Sequence, residues 1–263
     1  MPKLTSKNYF TAANDYLTTS KIKDYIRDPW YYYQKHVLHT IKEEPSDAMI
    51  MGAGLDCLVM YGKKKFNKLY KPVARRTNAA GLKYTELTPA QYGKIVGMAA
   101  RVMGTSAYEG LKEFKRQVIL SKETPHKIAG TLDFLFLDHD DEEAGIVDLK
   151  SSMTIDPRKY FYHALDLGWF LQAAMYRKLV RANYPNIKII KFFHITVEKD
   201  TLDLNRVQVF KFDESLLDKY TIILDDLIAE IYARKDFKPQ DTSFAEAIVI
   251  GKGTPEAGWE ESK

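Results

Sequence analysis

The chain has 263 residues, 45% of them apolar, which is ample for one large core or one domain with appendages. Its single cysteine, Cys57, excludes an internal disulfide and a four-cysteine zinc or iron–sulfur site within one chain. Net charge is only +4, yet positive charge gathers at Lys63-Lys64-Lys65, Arg75-Arg76, Lys112-Lys115-Arg116 and Lys188-Lys191, groupings that suit a phosphate backbone although each alone is more simply a solvated loop. No stretch approaches the ~18 apolar residues of a membrane span and the N-terminus lacks a signal-peptide apolar core, so the expectation is a soluble, cytoplasmic protein with no membrane partner.

Thr19 and Ser20 start a helix with Ile22, Tyr25 and Ile26 on one face, broken at Pro29. Trp30-Tyr31-Tyr32-Tyr33 reads as core packing, with base stacking as the alternative. Residues 48–60, AMIMGAGLDCLVM, read as a buried helix in which Gly52 and Asp56 share a face, the glycine allowing a backbone or ligand to approach beside an acid. Residues 61–87 are polar, basic and expected to be irregular. Thr88 and Pro89 supply an N-cap and a first-turn proline for a helix to about Met103. A strand begins at residues 117–120, residues 156–183 read as one long helix, and residues 187–197 and 206–212 as strands. Residues 213–234 form a strongly amphipathic helix with Leu216, Leu217, Tyr220, Ile223, Leu224, Leu227 and Ile231 on its apolar face. Met49, Met51, Met60 and Met175 are assigned to the core, His139 and His163 to the surface. The order implies an α/β or α+β layered domain with a mixed central sheet flanked by helices. It reads as one domain over residues 1–263, with a helical part to about 115, a core over about 116–235 and a tail over about 236–263.

The chemistry concentrates in GTLDFLFLDHDDEEAGIVDLKSS, residues 130–152. Two apolar strands flank a polar turn, so a hairpin brings Asp133 beside Asp148. Asp148 and Lys150 are two residues apart and share a strand face, while Leu149 packs on the other. D-x-K is a weak motif, and the bland alternative is an ion pair on a solvated edge strand. Against it, Asp133 interrupts an apolar run, and a carboxylate buried there needs a metal or a cation to compensate it. Two carboxylates suit Mg²⁺ or Mn²⁺, and a lysine nearby can orient a water or stabilise charge as a phosphodiester is attacked.

With these residues in place the chain resembles the PD-(D/E)xK nuclease superfamily, and within it the RecE-like, exodeoxyribonuclease VIII type of phage and prophage exonuclease. The resemblance covers residues 17–212 through LTTSKIKDYIRDPWYYY, MGAGLDCLVM, FNKLYKPVARRTNAA, GTLDFLF with IVDLKSS, and LQAAMY followed by FFHITVEKD. It implies a restriction-endonuclease-like core and metal binding by Asp133 and Asp148, with the Leu149 carbonyl as an extra ligand. Lys150 would activate the water, and Gln172 and Tyr176 would support the lysine and contact DNA. Asp56 stands where such nucleases commonly carry histidine and remains a possible metal ligand. Gln117 stands where they commonly carry glutamate, which puts a second metal in question. Arg75, Arg76, Thr77 and Asn78 match a basic stretch that could clamp a terminal phosphate or the duplex backbone. The activity implied is Mg²⁺-dependent degradation of linear double-stranded DNA ends, 5′ to 3′, exposing single strands for recombination. The setting implied is a phage or prophage protein in a bacterial cytoplasm, forming a homo-oligomer and working with a single-strand annealing protein. Two alternatives stay open: a RecB-like single-strand nuclease without an iron–sulfur cluster, and a catalytically silent DNA-binding relative.

Overall fold

The computed structural model describes residue 4 and residues 15–74, 82–199 and 206–234. Helix α1 (Thr19–Arg27) stops at Asp28, whose side chain accepts from the Trp30 N–H and caps α2 (Pro29–His36). Pro29 therefore both ends one helix and opens the next, where its missing N–H costs nothing. Ile22 and Tyr25 are buried, but Ile26 is 51% exposed, so the expected three-residue face is narrower than read.

Helix α3 (Asp47–Leu69) runs well beyond residue 60, bending at Gly62, which has φ +78°. Burial explains the correction: Phe66 is fully enclosed and stacks on Tyr70, so packing overrides the local polarity that suggested an irregular segment. Strands β1 (Tyr70–Pro72) and β2 (Thr85–Leu87) then pair in parallel, again inside the stretch expected to be irregular. Met49 is 56% exposed rather than core. Nothing approaches Gly52; the close contact falls at Gly54, against Ile95. Helix α4 (Pro89–Met103) follows the sequence reading, with Thr88 and Gln91 forming a reciprocal capping box. The short α5 (Ser106–Glu109) leads into the main sheet.

That sheet has five strands in the order β3 (Lys115–Lys122), β4 (Ile128–Asp138), β5 (Glu143–Ser152), β6 (Ile189–Glu198) and β7 (Val207–Lys211). Pairing is antiparallel except between β5 and β6, so the sheet is mixed. The parallel step is crossed by helices α6 (Pro157–Asp166) and α7 (Trp169–Asn183), where the sequence suggested one helix. The break is at Gly168, φ +62°, a backbone conformation that side chains with a Cβ seldom adopt, and the Lys23 side chain packs where that Cβ would be. Helix α8 (Glu214–Ala233), capped by Asp213, completes the fold.

Two apolar layers cover the sheet. On one face Leu135, Ile146, Ile190 and Phe192 pack with α1, α2, α6, α7 and α8; on the other Phe134, Val147, Leu149, Ile195 and Val197 pack with α3 and α4. Strands covered on both faces are apolar at successive positions, which is why polar residues on β5 and β6 stand out. Among the described residues no helix is long and apolar enough to cross a membrane. The expected tail, residues 236–263, lies outside the described residues.

Candidate active site

The antiparallel ladder between β4 and β5 runs from Asp138↔Glu143 to Phe134↔Val147 and ends there. Beyond that point β4 continues against β3 and β5 against β6, so the sheet forks. The next register positions are Asp133 and Asp148, which therefore stand opposite each other at the crotch. Asp133 replaces the lost ladder bonds with its side chain: Oδ2 accepts from the Leu149 N–H at 2.9 Å and Oδ1 from Gln117 Nε2 at 2.9 Å. Gln117 has φ +50°, a strained conformation for a residue with a Cβ, at the position that holds this carboxylate.

Asp148 is buried at 2% exposure. Its Oδ2 is paired with Lys150 Nζ, and its Oδ1 faces Gln172 Nε2 at 3.3 Å, beyond ordinary hydrogen-bond length. Gln172 Nε2 also donates to the Tyr176 hydroxyl at 2.9 Å, so the two α7 residues act on the site together. Asp56 arrives from α3, whose partners cover the opposite face of the sheet. Burial pushes its pKa up to about 7, opposed by the Lys150 charge and reinforced by Asp148. Asp133 is raised well above the usual carboxylate range by burial and then by the charges of Asp148 and Asp56, with Lys150 and the Leu149 N–H opposing. Burial works against the Lys150 ammonium, but Asp148, Asp133 and Asp56 outweigh it and raise its pKa.

Beside the carboxylates lies a cleft of about 580 Å³, lined in part by Gln117 and Gln172, whose amides face Asp133 and Asp148. Its walls include Thr18, Thr19, Ser20 and Lys23 from the start of α1, Tyr61 and Lys65 from α3, and Gly130, Thr131 and Tyr176. Lys65 lies over the Tyr61 ring at 3.2 Å. The Lys23 pKa is lowered to about 8, first by burial and then by the Lys150 charge, with Asp148 opposing. Of the basic groupings visible in the sequence, Lys65 borders this cleft, whereas Lys112, Lys188 and Lys191 are paired with Glu109, Glu142 and Glu143. Arg75, Arg76, Thr77 and Asn78 lie outside the described residues.

Sequence reasoning missed Lys23 and His194. His194 is fully buried on β6 as the register partner of Asp148, and burial followed by the charges of Lys150 and Lys23 drives its pKa well below the usual histidine range. The signal was available: in FFHITV, His194 and Thr196 are polar at alternate positions of an apolar strand, the criterion that singled out Asp133.

The residues fit a hard divalent cation. Carboxylates from Asp56, Asp133 and Asp148 converge on a buried region opposed by the Lys150 ammonium, and an oxygen-only donor set of this charge selects Mg²⁺- or Mn²⁺-like ions. Among the described residues no three acidic, histidine or cysteine side chains form a ready-made cage. Lys150 holds Asp148 Oδ2, which leaves Oδ1, 3.3 Å from Gln172 Nε2, as the freer of the two oxygens.

Residues 19–243 match the PDDEXK-like domain of unknown function (DUF3799). The chain belongs to this PDDEXK-like family. A crystal structure of a protein from Eubacterium rectale, provisionally named an exonuclease, superposes on this PDDEXK-like domain with a TM-score of 0.68 at 19% identity, over 88% of this chain and 86% of that one. The crystal structure of LHK-Exo in complex with dAMP superposes less closely, with a TM-score of 0.41 at 12% identity, over 87% of this chain and 93% of that one. No protein of curated function matches the sequence. The family and the first superposition establish a restriction-endonuclease-like fold with a mixed sheet flanked by helices.

Proposed function

We propose that the protein is a metal-dependent nuclease, an exodeoxyribonuclease that degrades linear double-stranded DNA from its 5′ ends. The observation that carries the hydrolytic reading is the fork at which Asp133 and Asp148 face each other with Lys150 paired to Asp148. Membership in a PDDEXK-like family supports a nuclease, and the exonuclease name of the Eubacterium rectale structure is in keeping with it. Polarity, Mg²⁺ as the ion, a recombination role, a homo-oligomeric state and an annealing partner rest on the resemblance of the motifs.

Asp56, Asp133, Asp148 and the main-chain carbonyl of Leu149 would hold the ion, which when bound supplies Lewis acidity and a water of lowered pKa. Gln117 and the Leu149 N–H fix the direction of the Asp133 carboxylate. Lys150 brings the positive charge that holds the attacking water and offsets charge developing on the phosphate. Gln172 and Tyr176 form the wall between the carboxylates and the cleft. Lys23, Lys65 and the hydroxyls of Thr18, Thr19, Ser20 and Thr131 offer the cation and donor set that a nucleic-acid backbone requires. Arg75 and Arg76 would take a terminal phosphate.

Linear duplex labelled separately at its 5′ and 3′ ends, incubated with Mg²⁺ or Mn²⁺, tests the proposal. Metal-dependent loss beginning at 5′ ends, sparing closed circles and abolished in Lys150→Ala, is the expected result. A second reading, a DNA-binding relative without turnover, is favoured by one observation: an uncharged amide, Gln117, sits on the Asp133 carboxylate. DNA binding with no hydrolysis under either metal would establish that reading instead.

A further inference from the structure

Two groups on the same face of the sheet address one oxygen of Asp148. Lys150 is paired with Oδ2, and His194 Nε2 stands 3.9 Å from the same atom, outside hydrogen-bond range and with no hydrogen-bond partner among the described residues. The imidazole is held from behind. Its Nδ1 is 2.6 Å from the Tyr160 hydroxyl, which is in turn 2.8 Å from Thr196 Oγ1, and the Trp169 and Phe212 rings pack across its plane. With Thr196 donating to Tyr160 and Tyr160 donating to Nδ1, a neutral ring carries its proton on Nε2. The other tautomer would set an Nε2 lone pair against a carboxylate, and an imidazolium carries the Nε2 proton as well, so the ring states that suit Asp148 have an N–H facing its Oδ2.

This arrangement answers a problem that the hydrolase reading creates. Lys150 has three N–H donors, but as it turns from Asp148 toward the water or the phosphate its hold on Oδ2 loosens, and a buried oxygen loses its partner. A divalent cation drawn to Asp148 repels an ammonium but tolerates a neutral donor. We propose that His194 is the positioning residue of Asp148: as Lys150 leaves, the His194 Nε2–H closes on Oδ2 and keeps the carboxylate aimed at the ion. The proposal rests on the metal-dependent hydrolase reading.

Nitrogen-15 NMR of histidine-labelled protein, titrated with CaCl₂ in the absence of DNA, reads the bond directly. An Nε2–H tautomer whose proton resonance moves downfield as Ca²⁺ binds is expected. An Nδ1–H tautomer, or a resonance that stays put while calorimetry shows Ca²⁺ binding, overturns the proposal. Two variants separate positioning from packing, because a glutamine amide reaches the place of Nε2 and an asparagine amide only that of Nδ1. His194→Asn should lower kcat on linear duplex about 10- to 100-fold with KM for DNA unchanged, and His194→Gln should recover most of the loss. Equal loss in both variants, together with a lowered Tm, marks a packing residue and overturns the proposal. Wild-type protein that neither binds Ca²⁺ nor cleaves DNA sinks the hydrolase reading and this inference with it; wild-type cleavage with an indifferent His194→Asn sinks this inference alone.

Discussion

Strand β5 carries two lysine–carboxylate pairs five residues apart, and they differ in almost every respect that matters. Glu143 pairs with Lys191 at 2.7 Å at the turn end, where the β4–β5 ladder is closed and both side chains are about a third exposed. Asp148 pairs with Lys150 at the forked end, where the carboxylate is buried and two further acids lie within Coulombic reach. Water screens the first pair, so it contributes little. The second pair is a compromise among charges that would otherwise repel, and such a site can exchange its cation. Under the proposed function the same strand is structural at one end and chemical at the other, and the end of the ladder marks the boundary.

The sharpest way to break this comparison is Lys150→Ala. Turnover should fall on the order of 10²–10³-fold in a single-turnover assay with labelled duplex, while DNA binding persists. Cleavage that survives within about tenfold would reduce Lys150 to a structural counter-ion.

Stability against pH gives the next largest effect. Asp56 has a folded pKa of about 7, raised above its unfolded value, so the folded state binds the extra proton between about pH 4 and pH 7. Stability is therefore greatest below that window and is lost as pH rises through it, by on the order of a few kcal/mol, with Asp133 adding in the same sense. Asp56→Asn should flatten the slope and melt higher than the parent at pH 8 without metal, and should gain less from added Mg²⁺. Melting curves at pH 5 and pH 8, with and without the ion, decide it; a parent protein more stable at pH 8 than at pH 5 would contradict the buried-acid account.

Gly130→Ala should act on the site at one remove. A Cβ there would lie 2.9 Å from Tyr176 Cε1 and 3.1 Å from Leu179 Cδ1, displacing a ring that is bonded to Gln172. A cost of about 1–3 kcal/mol in denaturant unfolding is expected, with reduced kcat. Lys23→Met should weaken duplex binding and lower its salt slope by about one, the mark of a lost phosphate contact. The smallest effect belongs to the turn end: Glu143→Ala should change stability by less than ~1 kcal/mol and leave turnover unaltered.

Much of the fold was legible because local signals and packing agree. The N-cap and first-turn proline at Thr88 and Pro89, the break at Pro29 and the apolar runs of β4 and β5 each lie within a few residues of what they specify. Where they disagree, packing decides. Phe66 carries α3 through a basic stretch into the core, and Gly168 breaks an apparently continuous helix where Lys23 crosses it. The candidate site divides similarly: Asp148 and Lys150 share a face by strand geometry alone, whereas Lys23, 110 residues before Asp133 in the chain, reaches the cleft only because α1 packs beside α7.

The sequence by itself determined the elements whose signals are local: most helices and strands, the pairing of Asp133 with Asp148 through a hairpin, and the shared face of Asp148 and Lys150. Only the tertiary structure decided that the ladder opens at Asp133, that Asp56 joins from the opposite layer, and that His194 faces Asp148 across a parallel step. The reason is physical. Strand periodicity and capping act over a few residues, but the charge state of a buried carboxylate depends on which distant groups share its low-dielectric surroundings, and that is set by packing.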